Sequence, residues 1–151
     1  MHDTNRIQSS LCCVKNSTLF FTGWNSIKIF LFFYLSTLQG AVHFFGIRDF
    51  SICCVANNDS ARVELFLAKT KEENKKLFDY LLNYKSEIET TMDASLIWQR
   101  GDDMISSKVY CSLNGVSIKN RTDWLQMANF HAVWSKKFYD VLVPYLKQYY
   151  N

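Results

Sequence analysis

The 151 residues of this chain suffice for one hydrophobic core and are too few for two. With 48% hydrophobic and 16% aromatic residues a packed interior is well supplied, and no repeat, Gly-rich linker or low-complexity tract marks a domain boundary. Seventeen basic and 14 acidic residues leave a net charge of +3, which permits contact with nucleic acid but is equally what ordinary solvation produces.

Residues 1–18 are polar and mixed, and read as a loosely ordered segment ahead of a single domain spanning 19–151. Leu19 to Phe45 is strongly apolar, and from Ile29 onward it carries no Asp, Glu, Lys or Arg. A membrane span needs about 20 mostly apolar residues. Ser36, Thr37, Gln39 and Gly40 interrupt this run, and Asn25, Ser26 and Lys28 spoil its upstream side. A secretory signal would need a basic start and a small-residue cleavage site, and neither is clear. The reading is a buried helix from about Trp24 to Leu38, closed by Gly40 in a left-handed cap.

Val42 to Phe45 and Phe50 to Val55 form an apolar hairpin around Gly46-Ile47-Arg48-Asp49. After the turn residues Asn57-Asn58-Asp59-Ser60, the run from Arg62 to Leu67 alternates. Val63, Leu65 and Leu67 share one face; Arg62, Glu64 and Phe66 share the other. These three segments predict an antiparallel meander.

Thr70 to Glu89 reads as one helix. Thr70 with Glu73 makes a capping box, and Leu77, Leu81, Tyr84 and Ile88 recur at helical spacing as its buried stripe. Glu72 with Lys76 and Lys85 with Glu89 are favourable pairs four residues apart. Lys69, Lys71, Lys75 and Lys76 read as a solvated face rather than a phosphate site.

Leu96 to Arg100 and Ser107 to Leu113 predict a second hairpin around Gly101-Asp102-Asp103, with the ring of Trp98 buried beside Leu96. After the Asn114-Gly115 turn, Asn120 or Thr122 caps a final helix through Trp124, Met127, Phe130, Trp134, Phe138, Val141 and Tyr145. Pro144 should kink or end that helix near Val143. The expected class is α+β: an antiparallel sheet of about five strands against the 70–89 and 122–150 helices, with the apolar amino-terminal helix in addition.

The candidate chemistry is sparse. Cys12, Cys13, Cys53, Cys54 and Cys111 are odd in number and include two adjacent pairs. Neighbours on a strand point to opposite faces, and no C-x-x-C or H-x-x-x-H spacing occurs, so a zinc site is not expected. Reduced thiols in a cytoplasmic protein fit this pattern. A restriction-type nuclease needs an acid ahead of an E-x-K-like strand. Glu64-Leu65-Phe66, and Asp93 ahead of Gln99-Arg100-Gly101, lack the Lys, while Asp102-Asp103 is an ordinary turn pair. His2, His43 and His131 have no nucleophile partner in a known motif. No catalytic residue, metal or cofactor is assigned.

What remains is a polar constellation on strands: Arg62, Glu64, Gln99, Arg100 and Lys108. If their strands adjoin, Glu64 would pair with Arg100 or Lys108 across one sheet face, a solvated ion-pair surface. The sharper alternative is a recognition face for phosphates and bases, with Trp98 or Phe66 alongside.

At these residues the chain resembles the uncharacterised prokaryotic family of domain of unknown function 4268. The resemblance lies in Ala61-Arg62-Val63-Glu64-Leu65-Phe66-Leu67, Lys71-Glu72-Glu73-Asn74-Lys75, Phe78-Asp79-Tyr80-Leu81, Lys85-Ser86-Glu87-Ile88-Glu89, Leu96-Ile97-Trp98-Gln99-Arg100 and Asp123-Trp124. It runs in order over roughly Gly40 to Leu146. Met104 and Ile105 stand where the family pattern has a basic pair, and Lys108 where Arg is usual. Such domains occur alone or behind nuclease-like domains of restriction and defence type. The resemblance therefore implies a non-catalytic accessory module that associates with nucleic acid or with another protein. Its expected partners are DNA or RNA, or a nuclease or other defence protein. A metal-dependent nuclease using Glu64 with Asp102-Asp103, and a small membrane-attached protein anchored through Ile29 to Phe45, are the alternatives.

Overall fold

A computed structural model describes the backbone of Ala41–Ile47 and, with their side chains, residues 50–67 and 69–151. The expectations for the 1–18 segment and for a helix from Trp24 to Leu38 lie outside the described residues. Five strands, β1 (Ala41–Ile47), β2 (Phe50–Ala56), β3 (Ser60–Leu67), β4 (Ile97–Gln99) and β5 (Ser107–Asn114), form one sheet in the order β1-β2-β3-β5-β4. Each neighbouring pair is antiparallel. Among the described residues the helices are α1 (Lys71–Leu82), α2 (Lys85–Met92) and α3 (Trp124–Tyr150), the last entered through a 3-10 turn at Arg121–Asp123. The α+β class and the antiparallel sheet packed against helices are as the sequence indicates.

The alternation in β3 determines how the layers stack. Ala61, Val63, Leu65 and Leu67 are fully buried, as are Ile52 and Cys54 of β2 and Val109 of β5. Against them lie Leu77, Phe78 and Leu81 of α1, Ile88 and Met92 of α2, and Met127, Ala132, Phe138, Leu142 and Leu146 of α3. Among the described residues all three helices pack on this one face of the sheet, in a two-layer arrangement. The rings of Tyr80 and Tyr149, and of Tyr84 and Tyr145, meet at centroid distances of 5.0 Å and join α1 and its exit turn to the end of α3.

Three sequence expectations need correction. The 70–89 helix is two helices. The amides of Asn83 and Tyr84 bond three residues back, to Tyr80 and Leu81, which tightens the chain and redirects α2 so that Ile88 and Met92 reach the core. Asp93, in the left-handed region at φ 52°, then ends α2. Pro144 does not end α3, which continues to Tyr150. The proline stands on the exposed side, where its missing hydrogen bond leaves the Asp140 carbonyl to water, while buried Leu142, Val143 and Leu146 hold the helix on both sides. Trp98 is half-buried, not a core ring. It packs edge-on to Phe78 at 6.0 Å, and its Nε1 donates to Glu89 Oε1 at 3.1 Å. Glu89 also accepts from the Leu96 amide at 2.8 Å and so serves the start of β4 rather than Lys85. Among the described residues no helix is long and apolar enough to cross a membrane.

His131 links the layers. Buried in α3, its Nε2 lies 3.1 Å from the Val55 carbonyl of β2. Burial pushes its pKa from 6.5 down to about 4. The unfolded chain therefore takes up a proton near pH 6.5 that the folded chain refuses until about 4, and stability falls as pH drops through that window. The loss attributable to this group is on the order of 3 kcal/mol. Urea melts between pH 7.5 and pH 4 check it: the difference in pH slope between the native chain and His131→Gln should account for a loss of that size, and parallel slopes would contradict it.

Candidate functional site

The register brings three of the five candidate residues together on the sheet face away from the helices. Glu64 of β3 stands opposite Tyr110 of β5, Phe66 opposite Lys108, and Lys108 opposite Gln99 of β4. Arg62 Nε approaches Glu64 Oε2 at 2.9 Å, and Lys108 Nζ comes to 4.0 Å from the same oxygen. The Arg62 guanidinium also lies over the Tyr110 ring, 5.7 Å from its centroid. Glu64 is only 6% exposed. Its carboxylate thus offsets two cations in a largely dry setting, where such a charge persists only when paired. The expected Glu64–Lys108 contact forms, joined by Arg62, but the surface is shielded rather than solvated. Gln99 is half-buried beside Lys108 in the register.

Arg100 belongs elsewhere, so the alternative Glu64–Arg100 pairing is not made. Its guanidinium grips both oxygens of Asp79 in α1, at 2.8 and 2.9 Å, and also bonds Asp102. This fork holds the Asp79 carboxyl below its ordinary pKa range and raises that of Arg100. Among the described residues no group of three or more His, Cys, Asp or Glu side chains is placed to hold a metal ion, so Glu64, Asp102 and Asp103 do not form one.

A second polar centre escaped the sequence reading. Lys75, expected on the solvated face of α1, is buried. Its ammonium donates to the carbonyls of Arg100 (2.6 Å), Gly101 (2.7 Å) and Ser106 (3.0 Å) and to Ser107 Oγ (3.0 Å). Ser107 Oγ in turn donates to the Arg100 carbonyl at 2.7 Å. Burial pushes the Lys75 pKa down from its usual value, and Asp102 opposes that shift. Asn74, equally buried, donates to the carbonyls of Lys69 (3.1 Å) and Ile105 (2.9 Å) and accepts from the Lys69 amide (2.9 Å). Gly101 sits at φ +66°, and a Cβ there would stand 3.0 Å from the Ser106 carbonyl, so this close turn requires glycine. The result is a clasp from the first turns of α1 onto the backbone of the β4–β5 hairpin. One signal for it was present in the sequence: Asn74 extends the Leu77–Leu81 stripe backwards by one turn, and Lys75 lies three residues before buried Phe78.

Removing the Glu64 carboxylate should leave Arg62 and Lys108 uncompensated in a partly dry face. Glu64→Ala is expected to cost about 2–4 kcal/mol, below the fully buried case because both cations keep some solvent contact. A denaturation double-mutant cycle with Arg62→Ala should give a coupling of about 1 kcal/mol or more. Additive losses would show the pair to be energetically idle.

The family model for the domain of unknown function (DUF4268) matches residues 42–146, more than two thirds of the chain, and covers β2 to β5 and α1, α2 and most of α3. No curated protein and no solved structure matches the chain.

Proposed function

Because the chain belongs to the DUF4268 family, whose description carries no activity, we propose its function from its own geometry: a non-catalytic protein-interaction module that presents the β4–β5 hairpin to a partner protein. The observation that carries this reading is the clasp. Asn74 and Lys75 fix the hairpin backbone from Arg100 to Ser107, yet Met104 and Ile105 stay 42% and 66% exposed. A loop held this firmly, with its apolar side chains in water, has already met the ordering cost of binding. Exposed Asp103 adjoins the apolar pair, so the tip suits an apolar pocket with a basic group at its rim.

The charge economy supports a protein partner over a nucleic acid. Arg62 and Lys108 are offset by Glu64, Arg100 is held by Asp79 and Asp102, and Lys75 is committed to the hairpin. Phosphate binding draws on cations that can release counterions, and these four are already engaged. The association of similar domains with nuclease-like ones favours a nuclease or other protein of a prokaryotic restriction or defence system as the partner, in the cytoplasm.

A photo-crosslinking residue at position 105, used in the native host, should give one discrete protein adduct. The same adduct partner, once purified, should bind the chain with roughly ten-fold or greater loss for a Met104→Glu, Ile105→Glu double variant, as expected when two apolar anchors are replaced by charges. Titrations of single- and double-stranded DNA and RNA at several salt concentrations supply the counter-test. Salt-steep nucleic-acid binding that weakens in Arg62→Ala and Lys108→Ala would replace this reading with a nucleic-acid module. Magnesium-dependent cleavage lost in Glu64→Ala would replace it with a nuclease.

A further inference from the structure

The side of the sheet opposite the helices is not a water face. Cys53 and Val55 of β2 are 2% and 8% exposed there, next to buried Glu64. Arg62 Nε and Glu64 Oε2 are shut off from solvent altogether. Ser51, Phe66, Lys108 and Tyr110 around them are half-buried. Yet α1, α2 and α3 all pack on the other side, against Ile52, Cys54, Val63, Leu65 and Val109. An antiparallel sheet with helices on one side only would leave Cys53 and Val55 in water.

We infer that this second face is a docking surface and that its occupant is the apolar stretch of the same chain between Leu19 and Leu38. That stretch carries a single charged residue, Lys28, and is rich in Phe, Leu and Ile. Left in water it would be an apolar patch far larger than a monomer tolerates. It enters the sheet directly at Ala41, the first residue of β1, and β1 pairs with β2, which carries Cys53 and Val55. The occupant is therefore tethered within a few residues of the face it covers, and tethering gives it a high effective concentration over any free partner. The docking would also account for the dry setting of Glu64: the stretch brings almost no charge of its own, so Glu64 stays paired with Arg62 and Lys108 beneath it.

Cys53 is the reporter, because its neighbour Cys54 points into the helix-covered core and serves as an internal control. In the full chain carrying Cys12→Ser and Cys13→Ser, a maleimide followed by peptide mapping should find Cys53 labelled as slowly as Cys54. With Phe30→Asp and Phe33→Asp added, Cys53 labelling should accelerate roughly ten-fold or more while Cys54 and Cys111 stay protected, as for a local opening. Rapid labelling of Cys53 in the unperturbed chain, or protection unchanged by the two aspartates, would overturn the inference. Protection that disappears on dilution, with a matching change in sedimentation, would assign the face to a second copy instead and overturn it equally. If the aspartates unfold the chain, seen as Cys54 labelling in step with Cys53, a photo-crosslinking residue at position 66 of the unperturbed chain decides. An adduct within residues 19–38 of the same molecule supports the inference; an adduct only to another molecule, or none, contradicts it.

Discussion

The ammonium of Lys75 is the constraint on which the ordering of this domain's far edge depends. β5 is tied to β3 along its whole length, but β4 is three residues long and among the described residues pairs with β5 alone. Without a further tie, the loop between them would be a free arm. Lys75 reaches out of α1 and gathers three carbonyls and a hydroxyl from both limbs of that loop, and Asn74 adds the Ile105 carbonyl. Ionised donors make strong hydrogen bonds, and an ammonium in this setting keeps its charge only because its protons all find oxygen. Once the clasp is set, other contacts follow from it. Arg100 lands against Asp79, Trp98 against Phe78, and Glu89 against the start of β4. The helix that covers the sheet and the hairpin that ends it become one unit.

The charges elsewhere follow the same logic of internal pairing. Glu64 stands between Arg62 and Lys108, and Asp79 and Asp102 hold Arg100. Lys75 of α1 is likewise committed to the carbonyls of the hairpin, so all four of these cations are engaged within the chain. At the hairpin tip the exposed side chains of Met104 and Ile105 are apolar.

Local patterns carried most of the fold. The alternation in β3 told inside from outside, and Thr70 does cap α1, its Oγ1 accepting from the Glu73 amide at 3.4 Å. Glu72 and Lys76 pair at 2.7 Å as their spacing foretold. What failed was whatever depended on distant partners. A run of lysines does not disclose that one of them will find four oxygens some 25 to 32 residues away. Periodicity ran through Asn83 because the turn there is tightened by only two backbone bonds, and Pro144 looked terminal because its exposed placement is a tertiary fact. Gln99 and Arg100 are neighbours, so with Gln99 opposite Lys108 the next side chain turns to the helix side, where Arg100 meets Asp79 instead of Glu64. Which of the two would face Glu64 depends on a register that no single strand discloses.

Native-state hydrogen exchange on Lys75→Met tests the central claim most directly, because methionine keeps the side chain's bulk and removes the ammonium. The account predicts that the amides between positions 100 and 107 lose protection together with the first turns of α1, and that global stability falls by about 2–4 kcal/mol, the scale of charged hydrogen bonds removed from a buried setting. Lys76→Met, one residue on and largely exposed, should leave both unchanged. If Lys75→Met kept the hairpin as protected as Lys76→Met does, the clasp would not be what orders this edge of the sheet.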